Sequence, residues 1–361
     1  MITHNLGYPR IGPKRELKKA AEKYWKGKTN LSDLLNTGQQ IRHINWDSQY
    51  KAGLDLVSVN DFSYYDHVLD MAYTVGAIPK RYEDLAQELG LSAHDQYFAM
   101  ARGYQDATHD VIAMEMTKWF DSNYHYIVPE FTNDQYFQLN DQKIFEEFKE
   151  AKEAGYKAKP VLVGPVSFLL LGKGRDEDFD RLALLDRLLP VYQQILDQLK
   201  ELGAEWVQLD EPYLTLNLDQ RTKDAFTKAY QQLGQQDQLK LLVATYFEGI
   251  RDNAELAANL NVDALHLDLV RAPEQLETVL PKVPANLSLS LGVVNGRNVW
   301  KNDYDHSLNL INKAVDQLGL DRVLIGSSCS LLLSPYDLDL ETNEKALTPE
   351  IKNWLAFAKQ K

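Results

Sequence analysis

At 361 residues, 44% apolar and 25% charged, the chain is long enough for one large α/β barrel or for two to three ordinary domains. Its net charge of −13, from 39 basic and 52 acidic residues, argues against bulk binding to nucleic acid or to an anionic membrane. A single cysteine, Cys329, excludes a disulfide framework. No run reaches the roughly 18 apolar residues of a bilayer span, and MITHNLGYPR lacks the shape of a signal peptide, so the expectation is a cytoplasmic protein.

In chain order, Gly7, Pro9, Gly12 and Pro13 keep the start irregular, and Pro13 suits the first turn of a helix. Lys14, Arg15, Lys18 and Lys19 then crowd together. On a helix begun at Pro13, Lys14 and Lys18 share a face, as do Arg15 and Lys19, a repulsion of about 0.2–0.5 kcal/mol per pair. A polyanionic ligand would offset it. So would a solvated face with Glu16–Lys19 and Glu22–Lys26 pairs. Residues 13–46 are expected to form a basic amphipathic helical extension before the first strand. The first apolar run is 54–61, and 62–124 reads as a long insertion after it. Its second half, 106–126, is predicted helical, with Met114, Lys118 and Asp121 on one side at spacings of four and three.

Seven further apolar runs follow: 125–131, 159–165, 205–212, 240–247, 264–270, 287–298 and 322–329. Most are rich in Val and Leu with little polar alternation, the mark of strands buried on both faces. Helical patterns such as 179–203 separate them. The last segment, 347–361, reads as the start of a truncated C-terminal helix or linker, helical from Thr348 to about Lys359. Eight strands, each followed by helical sequence, predict a single (β/α)8 TIM barrel over 1–361. A doubly wound open sheet is the competitor, but no strand here is followed by GxGxxG.

Chemistry on such a barrel sits at the C-terminal strand ends. Those ends supply Asp61, Glu130, Asp210, Glu211, Glu248, Asp268, Asn295, Arg297, Ser328 and Cys329. This acidic ring suits a polar substrate bearing an amine, or it is polar because barrel mouths meet water. Asp210 and Glu211 are adjacent on a strand and therefore point to opposite faces, so they are no matched acid–base pair. Glu130 with Glu211 would suit a glycoside hydrolase better, and helix capping is the alternative role for either. Arg297 would grip a carboxylate ligand or pair with a mouth acid. The eight histidines form no HxH, HxxH or HExxH pair, so no metal site is expected in this chain, and His266 reads as a barrel-lining core residue.

GYPRIGPKRELKKA, VNDFSYYDHVLD, EMTKWFDSNYHYIVPEF, WVQLDEP, TYFEG, HLDLV, VNGRNVW and SSCSLLLSP together resemble the N-terminal half of cobalamin-independent methionine synthase, the 5-methyltetrahydropteroyltriglutamate–homocysteine methyltransferase family. The resemblance runs from Gly7 to the last helix. It implies a protein of about twice this length built from two barrels, with zinc, the homocysteine site and the catalytic residues on the second. It implies that this half holds the polyglutamate tail of 5-methyltetrahydropteroyltri-L-glutamate through Arg15, Glu16, Leu17, Lys18 and Lys118. It also implies support of the C-terminal barrel. The family's zinc ligands have no counterpart here beyond Cys329, since LLVATYFEG carries neither His nor Cys. The chain alone is thus expected to hold no catalytic residue and no zinc, and to be inactive in methyl transfer. A glycoside hydrolase acting through strand-end carboxylates, or a non-catalytic binding barrel, are the other readings.

Overall fold

The computed structural model describes residues 1–361 other than 178, 235 and 344. Eight parallel strands form a barrel: β1 Ile2–Thr3, β2 Val57–Val59, β3 Ala158–Val163, β4 Trp206–Asp210, β5 Lys240–Ala244, β6 Ala264–Asp268, β7 Ser288–Val294 and β8 Val323–Ser327. Neighbours pair in chain order, with β8 against β1. A parallel bridge between His4 and Leu56 joins β1 to β2 and shuts the ring. All residues of β4 and β6 are buried, as is β5 beyond Lys240, which is why these strands read as unbroken apolar runs. The fold is the predicted TIM barrel.

Four details depart from the sequence reading. The first strand is β1, so the basic helices lie between β1 and β2 as the first crossover rather than before the barrel. These helices are α1 Glu16–Trp25 and α2 Leu31–Lys51, parted by a left-handed Gly27. Asn30 starts α2 with a capping box to Asp33. Second, the run 125–131 is no barrel strand. His125–Ile127 forms an antiparallel hairpin with Met116–Lys118, and Glu130–Phe131 pairs briefly with Lys173–Gly174. Third, 106–126 holds no helix; Asp110–Val111 pairs with Tyr104–Gln105, and the 116–127 hairpin follows. Aromatic and β-branched residues there, such as Val111, Ile112, Thr117, Trp119 and Tyr126, favour short strands over the coincidental helical spacing. Fourth, the terminal helix is only Pro349–Lys352, after which Leu355–Ala358 run on buried, bridged to Trp300.

The insertion builds its own core beside the barrel. Leu17 and Ala21 of α1 and Leu34 and Ile41 of α2 pack with Tyr82, Tyr97, Phe98 and Met100. Trp46 of α2 ties this layer to the barrel by donating its indole N–H to the Ser58 carbonyl at 3.1 Å. Helix Lys143–Glu153 completes the crossover to β3.

Candidate functional site

The barrel lumen is polar. Lys159 on β3 is fully buried; its ammonium donates to the Asn5 carbonyl at 3.0 Å and to the Gln208 amide oxygen. Ser290 links His4 and His266 at 2.7 and 2.8 Å, so His266 is the lining core residue expected. One layer up, Asp210 accepts from Gln208 Nε2 at 2.7 Å and from the Tyr246 hydroxyl at 3.0 Å. Burial lowers the Lys159 ammonium and raises the Asp210 carboxyl, each toward its neutral form. Asp61, past the end of β2, accepts from the Tyr8 N–H at 2.7 Å, and burial pushes its pKa up to about 7.

Strand alternation separates Asp210 from Glu211 as expected. Glu211 turns outward, caps helix Pro165–Leu171 through the Val166 and Ser167 N–H groups at 3.3 and 2.8 Å, and accepts from the Tyr230 hydroxyl at 2.8 Å. Glu130 is held by Arg81 at 2.6 Å and by Arg175 at 2.7 Å, which outweigh burial and keep its pKa low. Both acids of the hydrolase reading are therefore committed to structure. Asp268 accepts from the N–H groups of Phe247, Val270 and Arg271 and shapes the loop after β6. Cys329 is buried, and desolvation pushes its thiol pKa up, the reverse of an activated sulfur. Among the described residues, no three His, Cys, Asp or Glu side chains converge to hold a metal ion.

The hairpin 116–127 reaches over the barrel mouth. At its tip Phe120 adopts a left-handed φ of 51° and packs on Tyr213 and Phe247, with ring centroids 5.6 and 5.9 Å away. Asp121 forms ion pairs with Arg297 at 2.8 Å and Arg271 at 3.2 Å, from the loops after β7 and β6. Arg297 does pair with an acid, but with one contributed by the insertion. No local signal could have revealed this contact, which joins residues 176 apart in the chain. Beneath the tip lies a small cavity lined by Trp119, Tyr124, His67, Phe247, Asp61 and Asp210.

The cationic residues implied by the resemblance sit on two elements. Arg15 is the left-handed residue immediately before α1, so neither it nor Lys14 lies on the helical face assumed from spacing. Lys18 is exposed and pairs with Glu22 at 3.6 Å. Glu16 turns back to accept the Lys14 N–H at 2.8 Å. The Leu17 side chain is 1% exposed and belongs to the insertion core, and its N–H donates to the Ile11 carbonyl at 3.2 Å. Lys118 is exposed on the hairpin, opposite His125. Arg10, which sequence reasoning passed over, lies close to the hairpin strand. It donates to the Ser63 carbonyl at 3.3 Å; its charge adds to the burial that lowers the pKa of His67 and offsets part of the burial-driven rise at Tyr124, next to the hairpin strand.

Comparison with known proteins adds the lineage. Residues 2–319 match the family model described as cobalamin-independent synthase, N-terminal domain. A 5-methyltetrahydropteroyltriglutamate–homocysteine methyltransferase from Flavobacterium johnsoniae is 57% identical over all of this chain and 47% of its own length. The Cytophaga hutchinsonii protein of the same name is 54% identical over the same shares. The chain thus spans about half the length of the curated relatives it matches. A B12-independent methionine synthase structure from a Shewanella species shares the fold at a TM-score of 0.61 and 14% identity, over 86% of this chain and 85% of that one. The chain therefore belongs to the cobalamin-independent methionine synthase family, within its N-terminal domain.

Proposed function

We propose that this domain serves a methyltransferase that moves the methyl group of 5-methyltetrahydropteroyltriglutamate to homocysteine. Its part is to hold the donor's polyglutamate tail with Arg15, Glu16, Leu17, Lys18 and Lys118 and to support a C-terminal barrel of the same protein. In that reaction a C–S bond forms as the N–CH3 bond breaks, which needs a thiolate. On this reading, activation of the thiol and the zinc that assists it belong to the other half of the protein. The observation that supports the reading is the exposed Lys118 on a hairpin fastened across the barrel mouth. Among the described residues, neither Arg15 nor Lys118 has an ion-pair partner, so both are available to carboxylates. Leu17 and Glu16 act through shape: the one anchors α1 in the core, the other ties down the backbone at Lys14.

Exposed pairs contribute about 0.2–1 kcal/mol each, so useful affinity needs several and falls with salt. Titration of the chain with mono- and triglutamyl 5-methyltetrahydrofolate tests the proposal. The triglutamate should bind tighter, and Lys18→Ala and Lys118→Ala should each erase about two- to fivefold of that difference. Equal affinity for the two forms in the parent chain would remove the tail site.

A further inference from the structure

Residues 355–358 lie buried past the last helix, in a strap clamped along both edges. On one edge the Ala358 N–H donates to the Pro335 carbonyl at 2.8 Å, and the Lys359 N–H to that of Tyr336 at 3.1 Å. On the other, the Ala356 N–H donates to the Val299 carbonyl at 2.8 Å, and the Lys301 N–H to that of Trp354 at 2.9 Å. This second edge belongs to the loop after β7, which carries Arg297. Lys361 then reaches into the same loop. Its Nζ donates to the Asn298 side-chain oxygen at 3.0 Å, to the Trp300 carbonyl at 3.4 Å and to the Asn295 carbonyl.

Those three oxygens flank Arg297 on both sides in the chain. Between them, the Asn295 side-chain oxygen accepts from the Arg297 and Asn298 N–H groups at 2.8 and 3.0 Å, so the turn that presents Arg297 is itself hydrogen-bonded. Ser328 and Ser334 anchor the turn at Gly296, at 3.2 and 2.8 Å; its far side, Asn298 to Lys301, is tied to the strap. Lys359 pairs with Asp337 and Asp339 at 2.8 and 3.0 Å, whereas Lys361 gives its donors to neutral oxygens. A half-buried ammonium held in that way resists any shift of the oxygens around it, because a shift strips it of partners. Arg297 in turn grips Asp121, at the hairpin tip, at 2.8 Å. One loop thus receives the strap on one side and the hairpin on the other. We propose that the strap is a conformational device: seated, Lys361 holds the loop after β7 in the shape that lets Arg297 clasp Asp121, so that unseating the strap loosens the mouth hairpin. The coupling runs through one contact that is either made or broken, and it is independent of what Lys118 binds.

Hydrogen exchange on the intact chain tests the coupling. Lys361→Met keeps the methylenes and removes the ammonium. The hairpin amides of Trp119 and Val128, bonded to the Tyr124 and Glu115 carbonyls, should then exchange about two- to fivefold faster, because a lost anchor weakens the clasp without removing it. Asn298→Ala removes the acceptor instead of the donor and should have the same effect. In an Asp121→Ala background neither substitution should add to the rate, since the contact through which it acts is gone. Hairpin exchange unchanged by Lys361→Met would overturn the proposal. So would an equal acceleration in the two backgrounds, which would trace the effect to general loosening and not to the clasp.

Discussion

Asp121→Ala cuts the clasp of the mouth hairpin while leaving its ladder and its Phe120 packing intact. The substitution removes two ion pairs, at 2.8 and 3.2 Å, among side chains that are 52% (Asp121), 24% (Arg297) and 45% (Arg271) exposed. At that exposure each pair contributes about 0.2–1 kcal/mol, so together they hold the hairpin by about 0.5–2 kcal/mol, a factor of roughly 2–30 in its opening equilibrium. Hydrogen exchange reads this directly. The Trp119 amide, which donates to the Tyr124 carbonyl at 2.7 Å, and the Val128 amide, which donates to Glu115 at 2.8 Å, should exchange faster by that factor. Amides of β4 and β6 should not change. In the parent chain about 1 M salt, with a screening length near 3 Å, should reproduce part of the effect. Unchanged exchange in the variant at low salt would show that aromatic packing alone fastens the hairpin, and the clasp argument would fail.

Glu211→Gln probes a buried acid whose pKa burial raises from 4.5 to about 7. Because the folded value is raised, the group's contribution is fully present below its unfolded pKa and is lost as pH rises through about 7. The loss over that window amounts to about 3 kcal/mol. Glutamine keeps one acceptor oxygen for the Ser167 N–H and offers its NH2 to the Tyr230 hydroxyl oxygen, so urea denaturation should show a flatter dependence between pH 5 and pH 8 than the parent, and an unaltered slope would contradict the assignment. Gly292→Ala would set a Cβ 2.7 Å from His266 Nε2 and 2.8 Å from the Leu267 carbonyl. A loss of about 1–3 kcal/mol is expected, read as a lower denaturation midpoint. Phe120→Gly should relieve the left-handed strain at the tip but lose the contacts to Tyr213 and Phe247. Its hairpin amides should therefore exchange faster than the parent's, not slower.

Seven of the eight barrel strands were legible because burial on both faces leaves an unbroken Val/Leu signature in a single short window. β1 was not. Ile2 is its one apolar residue, and the position that closes the ring, His4, faces a polar lumen. The apolar stretch 125–131 misled for the converse reason: Tyr126 to Phe131 are buried, but in and just after the second strand of a hairpin rather than in the ring. Met114, Lys118 and Asp121 fell at helical intervals by chance, and two- and three-residue strands carry too little periodicity to contradict them. The opposed facing of Asp210 and Glu211 followed from strand geometry alone. The convergence of Asp121 with Arg271 and Arg297, and of Arg10 with Tyr124, depends on how the insertion folds back, which no local pattern encodes.

The barrel's ring of hydrogen bonds has one thin stave. β1 gives two ladder pairs to β8 and a lone bridge to β2, stitched by the Asp55 carboxylate accepting from the Thr3 N–H at 2.8 Å and hydroxyl at 2.9 Å. If the cylinder opens locally, this seam, with the fewest ladder bonds, is where it should part first. Water then reaches Lys159 and the His4–Ser290–His266 chain from the side, through a slit, without passing the aromatic mouth at all.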